Sequence, residues 1–408
     1  MKTRLDRREF AIGAAATGAL AIAGPVGRAH AQAAPIKIGS LLPRSGFEAQ
    51  IGQHCQQAID VGKSFLKARG YSLEVIDSDT QSSPEAARTE AEKLIRDGCN
   101  ILTGAFDSAQ SLAIAQVAEQ RGIPFVVNIG SDPAITNQGY KFSFRNFPTS
   151  IMLGNHGLEL FDALFKATGK TPQTAVYLHV NDSFGETVTK GVHAYQDKLG
   201  LPFKIVEEIA YSPQTNDLSA EVAKAKGTGA ELAMVVTRLN DAIILVREMV
   251  KQKWSPWGII SPGSPGMYQM PFFKTLGKYA NYCITNVPWL DPKQKMAKEF
   301  EAAFLKTYPD QICDIDAGFT FEGLLVCADA YKRAGSTNPQ ALVEALKATN
   351  IADRVMIGGP ITFDEHGQNV NLPSAAVQDL HGKPTVVLPA ANAVAKPVFP
   401  MPEWSKRV

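Results

Sequence analysis

The sequence predicts an α/β fold of two parallel sheets, each covered by helices on both faces, and three observations carry that prediction. Short runs rich in Ile, Leu and Val alternate with stretches of helical spacing. The first of these runs, Ile36–Leu42, is apolar and reads as a buried parallel strand. The whole rhythm occurs twice along the chain. At 408 residues there is room for two or three domains, so two sheets mean two lobes rather than one oversized sheet.

The first set opens with Ile36–Leu42, an apolar run bounded by Pro43 and Gly46. Residues 51–68 have helical spacing and end at Gly70, and 72–77 reads as a strand. Ser83 and Pro84 are the N-cap and first position of a helix running to Arg96. Residues 100–106 (strand), 109–121 (helix) and 124–129 (strand) follow. The segment 142–150, with Phe147-Pro148-Thr149, suits a hinge. The second set has strands at 174–180, 204–210, 231–237 and 257–260, with helices at 184–199, 217–226 and 240–252 between them. After a run at 282–288 come helical stretches near 292–307, 316–334 and 338–349. Gly358-Gly359-Pro360 then leads into a short strand, Ile361-Thr362-Phe363-Asp364. The tail from Pro389, rich in Ala and Pro, reads as loosely packed.

Composition removes several function classes. The chain is 45% hydrophobic and 20% charged, with 41 basic and 40 acidic residues and a formal charge of +1. Fibrous and wholly disordered readings fail, and no charge run is long enough to make nucleic acid the main partner. The seven His residues contain no i, i+4 metal pair, and Cys55, Cys99, Cys283, Cys313 and Cys327 have no Cys-x-x-Cys spacing. The cysteines read as buried free thiols, with one disulfide left open. Residues 1–31 read as an export signal. Lys2, Arg4, Arg7 and Arg8 form a charged start, and an apolar segment from Ala11 to Val26 is too short for a spanning helix. Ala29-His30-Ala31 is a cleavage site. Asp6-Arg7-Arg8-Glu9-Phe10 resembles the twin-arginine pattern. Export implies the bacterial periplasm.

Catalytic signatures are missing. Gly263-Ser264-Pro265-Gly266 lacks the glycine of a nucleophile elbow, and no phosphate-cradling loop or dinucleotide fingerprint follows a strand. Neither a catalytic residue, a metal nor a cofactor is expected. The strand ends do look like a site, because open α/β sheets bind ligands beyond the carboxyl ends of their strands, where helix N-termini present amides. Loops 45–52, 106–108 and 128–131 of the first set, and 181–185, 238–241 and 261–264 of the second, would form two facing rows. They describe a cleft that closes on a small molecule.

At these loops the sequence resembles the branched-chain amino-acid (leucine-binding) family of periplasmic solute-binding proteins of ABC transporters, over roughly 36–385. Three segments carry the resemblance. The first is Ile36-Lys37-Ile38-Gly39 followed by Ser45-Gly46 and Gly52. The second is Gly122-Ile123-Pro124 with Gly130-Ser131-Asp132-Pro133-Ala134-Ile135-Thr136. The third is 316–335 together with Gly359-Pro360-Ile361-Thr362-Phe363-Asp364-Glu365-His366-Gly367. The resemblance implies a type I periplasmic-binding, venus-flytrap fold with three hinge crossovers. Its first lobe would be 35–148 plus 287–362, its second 149–286 plus 363–395, and 396–408 a C-terminal tail. It further implies a monomer that presents its solute to an ABC permease and ATPase subunits at the inner membrane. A ligand-sensing receptor of the same fold, working with a sensor kinase, is the alternative, and an exported α/β enzyme a more distant one.

Carried over residue by residue, the resemblance places Ser108 at the start of the third helix, holding a ligand carboxylate or serving as a plain N-cap. Phe106 lies in the same loop. Ser131 takes the family's threonine, with Gly130 beside it and Ile129 contacting ligand through its main chain. Ile51 takes an aromatic position of the first loop, and Phe184 a tyrosine position, as ligand wall or core residue. Two departures stand out. Pro262-Gly263-Ser264 replaces the family acid that pairs with a ligand ammonium, and Arg238 replaces a second tyrosine. An ammonium buried without its carboxylate is costly, whereas Arg offers a planar fork for an oxyanion. The ligand implied is a carboxylate-bearing solute, an amino acid or an organic or aromatic acid. Arg238 could instead pair with Asp107 or Asp241 at the cleft rim.

Overall fold

Runs of β-branched residues and leucine become strands here because helices cover them on both sides. The computed structural model describes residues 34–407, so the export-signal segment lies outside the described residues. The first half runs β1 (Ile36–Leu42), α1 (Ala49–Lys67), β2 (Leu73–Asp79), α2 (Pro84–Arg96), β3 (Ile101–Gly104) and α3 (Ser108–Arg121). It continues through β4 (Phe125–Val127), the single turn α4 (Ala134–Asn137) and β5 (Ser143–Arg145). The sheet is parallel, in the order β2-β1-β3-β4-β5, with Ile38 opposite Val75 on one side and Ile101 on the other. As the sequence suggests, Ser83 caps α2, its Oγ accepting from the Ala86 amide at 3.3 Å, and Pro84 is the first helical residue.

The second half runs α5 (Ser150–Thr168), β6 (Thr174–Val180), α6 (Ser183–Leu199), β7 (Lys204–Tyr211), α7 (Ser219–Gly227) and β8 (Leu232–Val236). Then come α8 (Leu239–Lys251), β9 (Gly258–Ser261), α9 (Met270–Leu276) and β10 (Ile284–Val287). The chain returns to the first half for α10 (Lys295–Thr307), α11 (Ile315–Ala334) and α12 (Pro339–Lys347), where α11 packs on α1 and on β1, β3 and β4. It finishes in the second half with β11 (Ala375–Leu380) and β12 (Lys383–Leu388), completing a sheet ordered β12-β11-β10-β9-β8-β6-β7. β6 to β10 are parallel; β11 and β12 run antiparallel.

The chain therefore passes between the halves three times, at 146–149, 288–294 and 362–374, and the first and third crossings are bonded to each other. The Asn369 side-chain amide donates to Asn146 Oδ1 at 2.7 Å, and Gln368 donates to the Phe147 carbonyl at 2.8 Å. Glu322, fully buried on α11, accepts from Arg354 Nε (3.0 Å) and Nη2 (2.6 Å), from Asn146 Nδ2 (2.7 Å), and from the Val355 and Met356 amides.

Three expectations need correction. Residues 361–364 are no strand: Ile361 makes one isolated bridge to Ile351, and the closing strands are β11 and β12, turned by His381-Gly382. Residues 367–369 stay beside β5, through a bridge from Arg145 to Gln368, instead of belonging wholly to the second half. The tail is well packed. Phe399 lies 5.2 Å from the Phe165 ring, Trp404 Nε1 donates to the Trp254 carbonyl at 2.7 Å, and the Arg407 guanidinium stacks 3.7 Å from the Trp404 ring. Isolated aromatics, not a periodic pattern, anchor this segment. All five cysteines are buried and unpaired.

Candidate functional site

The site grows from the ends of β3 and β4. Past Gly104, Phe106 adopts a left-handed backbone (φ 72°), unusual for a bulky residue, and the Asn128 side chain fixes it by accepting the Phe106 amide at 2.9 Å. Asp107, rather than Ser108, caps α3, accepting from the Ala109 and Gln110 amides at 2.9 and 3.1 Å. Ser108 is thus the first helical residue. Its Oγ accepts from the amides of Ser131 (3.1 Å) and Asp132 (3.2 Å), which leaves its own proton without an acceptor among the described residues. The Ser131 hydroxyl is 97% buried and has no hydrogen-bond partner among the described residues. Its loop is pinned by Arg145, which donates to the Asp132 carbonyl (2.6 Å), the Gly130 carbonyl (3.3 Å) and Thr136 Oγ1 (2.9 Å). Burial pulls the Arg145 guanidinium down to about 9, against the pull of Asp132 and Asp364.

The second half supplies the facing wall. Asp182 caps α6, and Phe184 follows in its first turn. Gly185 has to be glycine, since a Cβ there would lie 1.8 Å from the Val180 carbonyl oxygen. Beyond β9, Ser261 Oγ accepts from the Gly263 and Ser264 amides at 3.1 and 2.8 Å, shaping a turn in which Gly263 sits at φ 142°. From α11, Asp314 caps the helix by accepting from the Asp316 and Ala317 amides at 3.0 and 3.2 Å, and Ile315 and Asp316 follow.

These elements enclose one cavity. Phe106, Ser108, Ile129 and Ser131 line it from the first sheet; Ile315 and Asp316 from α11; Phe147 from the first crossing. Leu153, Phe184, Arg238, Gly263, Pro265, Tyr268 and Val287 line it from the second half. The centres of water-sized molecules have about 30 Å³ there, and the empty space, counted with its open side, is about 390 Å³. Seven of the nine residues singled out in the sequence meet here. Ile51 does not: it is a core residue beneath Glu48 that borders a smaller neighbouring cavity. Gly130 does not line it either; a Cβ there would lie 2.4 Å from Ser111 Oγ, so the glycine serves packing.

Arg238 lines the cavity, but its fork is filled by the protein itself. Its Nε lies 3.0 Å from Glu48 and its Nη2 2.7 Å from Asp107, both in the first half, while Nη1 pairs with Asp182 of its own half. Its guanidinium carbon stands 5.1 Å from the Phe184 ring centre. The rim pairing with Asp107 is therefore the one observed, whereas Asp241 accepts from the Arg238 backbone amide at 2.8 Å. Burial disfavours the Arg238 cation, yet Asp182, Asp107 and Glu48 outweigh it and hold it charged. Three acids share one cation, so Glu48, the most enclosed, is pushed well up by burial and by Asp107. Burial also lifts Asp241 to about 6, against a hydrogen bond from Tyr211.

Other contacts join the halves around the cavity. Ser183 donates to Asp132, Asn240 donates to the Phe47 carbonyl at 2.8 Å, and Gln269 donates to Asp316. Among the described residues, no group of three or more His, Cys, Asp and Glu side chains could hold a metal, and no helix is long and apolar enough to cross a membrane.

Residues 35–379 match the family model described as periplasmic binding protein. The chain belongs to the periplasmic binding protein family. Among relatives of this periplasmic binding protein, Leu/Ile/Val-binding protein homolog 8 of Brucella abortus (strain 2308) is 24% identical over 386 residues, covering 90% of this chain and 93% of the relative. Two solved structures share the fold. The solute-binding protein of an ABC transporter from R. palustris, in complex with benzoate, has a TM-score of 0.75 at 19% identity, covering 89% and 98% of the two chains. The branched-chain amino acid transporter substrate-binding protein LivJ from Streptococcus pneumoniae, in complex with isoleucine, has a TM-score of 0.74 at 18% identity, covering 90% and 100%. The type I two-lobed fold read from the motifs is the fold of these neighbours, and the matched relatives are solute-binding proteins rather than enzymes.

The wall residues the sequence did not single out are Phe147, Leu153, Pro265, Tyr268, Val287, Ile315 and Asp316. One signal was available: Asp314 is a capping residue at the head of the second helix after the second crossing, which puts Ile315 and Asp316 at a helix N-terminus.

Proposed function

We propose that this periplasmic binding protein captures a small carboxylate-bearing solute between its two halves and delivers it, unaltered, to an ABC permease. The export signal would be cleaved near Ala31. The observation that carries this reading is the pair Ser108 and Ser131. Among the described residues one buried hydroxyl has a spare proton and the other has no hydrogen-bond partner, and both line the cavity at the N-terminal end of α3. Buried polar groups are ordinarily satisfied, so an orphan hydroxyl lining a cavity is a site awaiting an acceptor. A helix N-terminus adds amides and a partial positive charge suited to a carboxylate. The two neighbours' ligands, isoleucine and benzoate, share only an apolar body and a carboxylate, which is the chemistry these walls fit.

Each of the three Arg238 nitrogens already faces a carboxylate of the protein, so we assign the ligand carboxylate to the two serines. Titration calorimetry with aliphatic and aromatic carboxylates tests this. A binding acid should lose roughly 1–3 kcal/mol of affinity in Ser131→Ala, while its primary amide should bind poorly to the wild type. Equal binding of acid and amide, or an unaffected Ser131→Ala, rejects the carboxylate site.

A further inference from the structure

We infer that Asp316 is the specificity-determining residue of this cavity, taking a hydrogen-bond donor on the ligand, an ammonium or a hydroxyl, while the serines take the carboxylate. The inference rests on the proposed solute-binding reading and narrows its ligand to amino- or hydroxy-substituted acids. Asp316 is fully buried, lines the cavity, and makes no ion pair among the described residues. Its nearest candidate cation, His54, is committed elsewhere, with Nε2 2.9 Å from Asp314 Oδ1. The contacts Asp316 does make are neutral. Gln269 donates to Oδ2, and the Tyr268 hydroxyl stands 3.5 Å from Oδ1, at the outer limit of a hydrogen bond. A buried carboxyl with one firm neutral donor and one weak one keeps acceptor capacity facing the cavity.

The surrounding walls cannot use that capacity. Ile315, Phe147, Val287 and Leu153 are apolar, and Arg238 is spent on Glu48, Asp107 and Asp182. A ligand that was apolar beyond its carboxylate would therefore bury Asp316 against hydrocarbon, with nothing given in return. A ligand carrying a donor would pair it. Burial and the Asp314 charge push the Asp316 carboxyl up to about 8, which agrees with an acid that lacks a cation of its own. The sequence points the same way. The acid expected near Gly263 is missing, and an acid arriving from α11 restores a partner for a ligand donor from a different element.

The test uses matched acids on the folded protein: leucine against 4-methylpentanoate, and 4-hydroxybenzoate against 4-methoxybenzoate and benzoate, by calorimetry. At least one donor-bearing acid should bind tenfold or more tighter than its donor-free match. Asp316→Asn should erase most of that ratio, with unfolding curves confirming that the variant folds. Ser131→Ala should weaken both members of a pair alike. Since Gln269 and Tyr268 reach Asp316 from the other half, a purely structural Asp316 would lower both affinities together and keep their ratio. A retained ratio in Asp316→Asn, or donor-free acids binding as well as their partners in the wild type, overturns the inference while leaving a carboxylate site standing. If no acid of either kind binds, the solute-site reading fails and this inference with it.

Discussion

Arg238→Met is the most informative single change in this protein. It keeps a long aliphatic stem beside Phe184 and removes the one cation shared by three acids. At 2.7 Å and an effective dielectric of about 20, the attraction between Arg238 and Asp107 is about 6 kcal/mol before hydration is counted. Hydration of both groups on separation offsets part of this. Removing one member of a buried pair nevertheless costs about 3–5 kcal/mol, because the other charge stays buried alone. The penalty is unevenly shared between conformations. Asp182 belongs to the same half as Arg238 and stays with it when the halves part, whereas Glu48 and Asp107 lie across the gap. The loss therefore falls on the closed form, and 3 kcal/mol is roughly a 150-fold change in the closed-to-open ratio. Distances between spin labels on the outer faces of α2 and α7, without ligand, should lengthen in the variant, with a matching rise in radius of gyration. Asp107→Asn keeps the α3 cap and should move the distances in the same direction by less. The double variant should fall short of the sum of the two. Unchanged label distances in Arg238→Met would refute the latch.

Further consequences follow from buried groups elsewhere. Glu322→Gln turns one of two oxygens that together accept five hydrogen bonds into an NH2 group facing donors, and should destabilise the protein by about 3–5 kcal/mol in urea unfolding; an unmoved midpoint would show the pair to be dispensable. Asp316 and His54 are two of the groups that set the pH dependence of stability; Glu48 and Asp241, also raised by burial, act in the same direction. Burial, then Asp314, raises Asp316 to about 8; for His54 burial works against the charge, but Asp314 and Asp316 raise it to about 9. Both lie above their ordinary values, so the native state keeps protons that the unfolded chain releases, from about pH 4 for the acid and about 6.5 for the imidazole. Stability should be greatest below those values and fall as pH rises toward 9. Asp316→Asn should flatten the lower part of the melting-temperature profile and His54→Gln the upper part; a profile rising over pH 5 to 9 would contradict both. Deleting residues 399–408 strips Phe399 and Trp404 from their partners. At about 1.5–3 kcal/mol per large apolar side chain, it should lower the melting temperature clearly rather than trim a loose end.

What the sequence showed depended on how local each signal was. The alternation of strands and helices, the Ser83-Pro84 helix start and the loops at 106–108 and 128–131 are written in adjacent residues, and the structure places them as read. β11 and β12 were missed because 375–388 mixes Ala and Pro with only a His381-Gly382 turn to mark the hairpin, and its strand character comes from pairing with β10. The tail was misjudged for a related reason, since Phe399, Trp404 and Arg407 find their partners in residues 126 to 234 positions away. In the site, Ser108 and Ser131 were legible from motif and spacing. The pairing of Arg238 with Asp107 was one of the alternatives read there, whereas its pairing with Glu48, 190 residues upstream, was not, because only the closed arrangement brings the two together. Asp316 was not singled out because the resemblance directs attention to the position near Gly263, whereas Asp316 reaches the cavity from α11.

The small cavity and the latch together settle what Arg238 does for binding. The cavity lies between the two halves and is ringed by the contacts that join them, so entry of a solute requires the halves to part. The contacts that hold them together, Arg238 with Asp107 and Glu48, Ser183 with Asp132, and Asn240 with the Phe47 carbonyl, ring the cavity and do not fill it. They are thus present in the empty closed form and would persist in the filled one. A term common to both states cannot raise net affinity once the empty protein is already closed; it only reduces the fraction open to receive solute. A stronger latch slows capture and release together. Arg238→Met should accordingly speed both, with a much smaller change in their ratio, in stopped-flow traces with whichever acid binds. A large loss of affinity with an unchanged association rate would place Arg238 on the ligand instead of on the hinge motion.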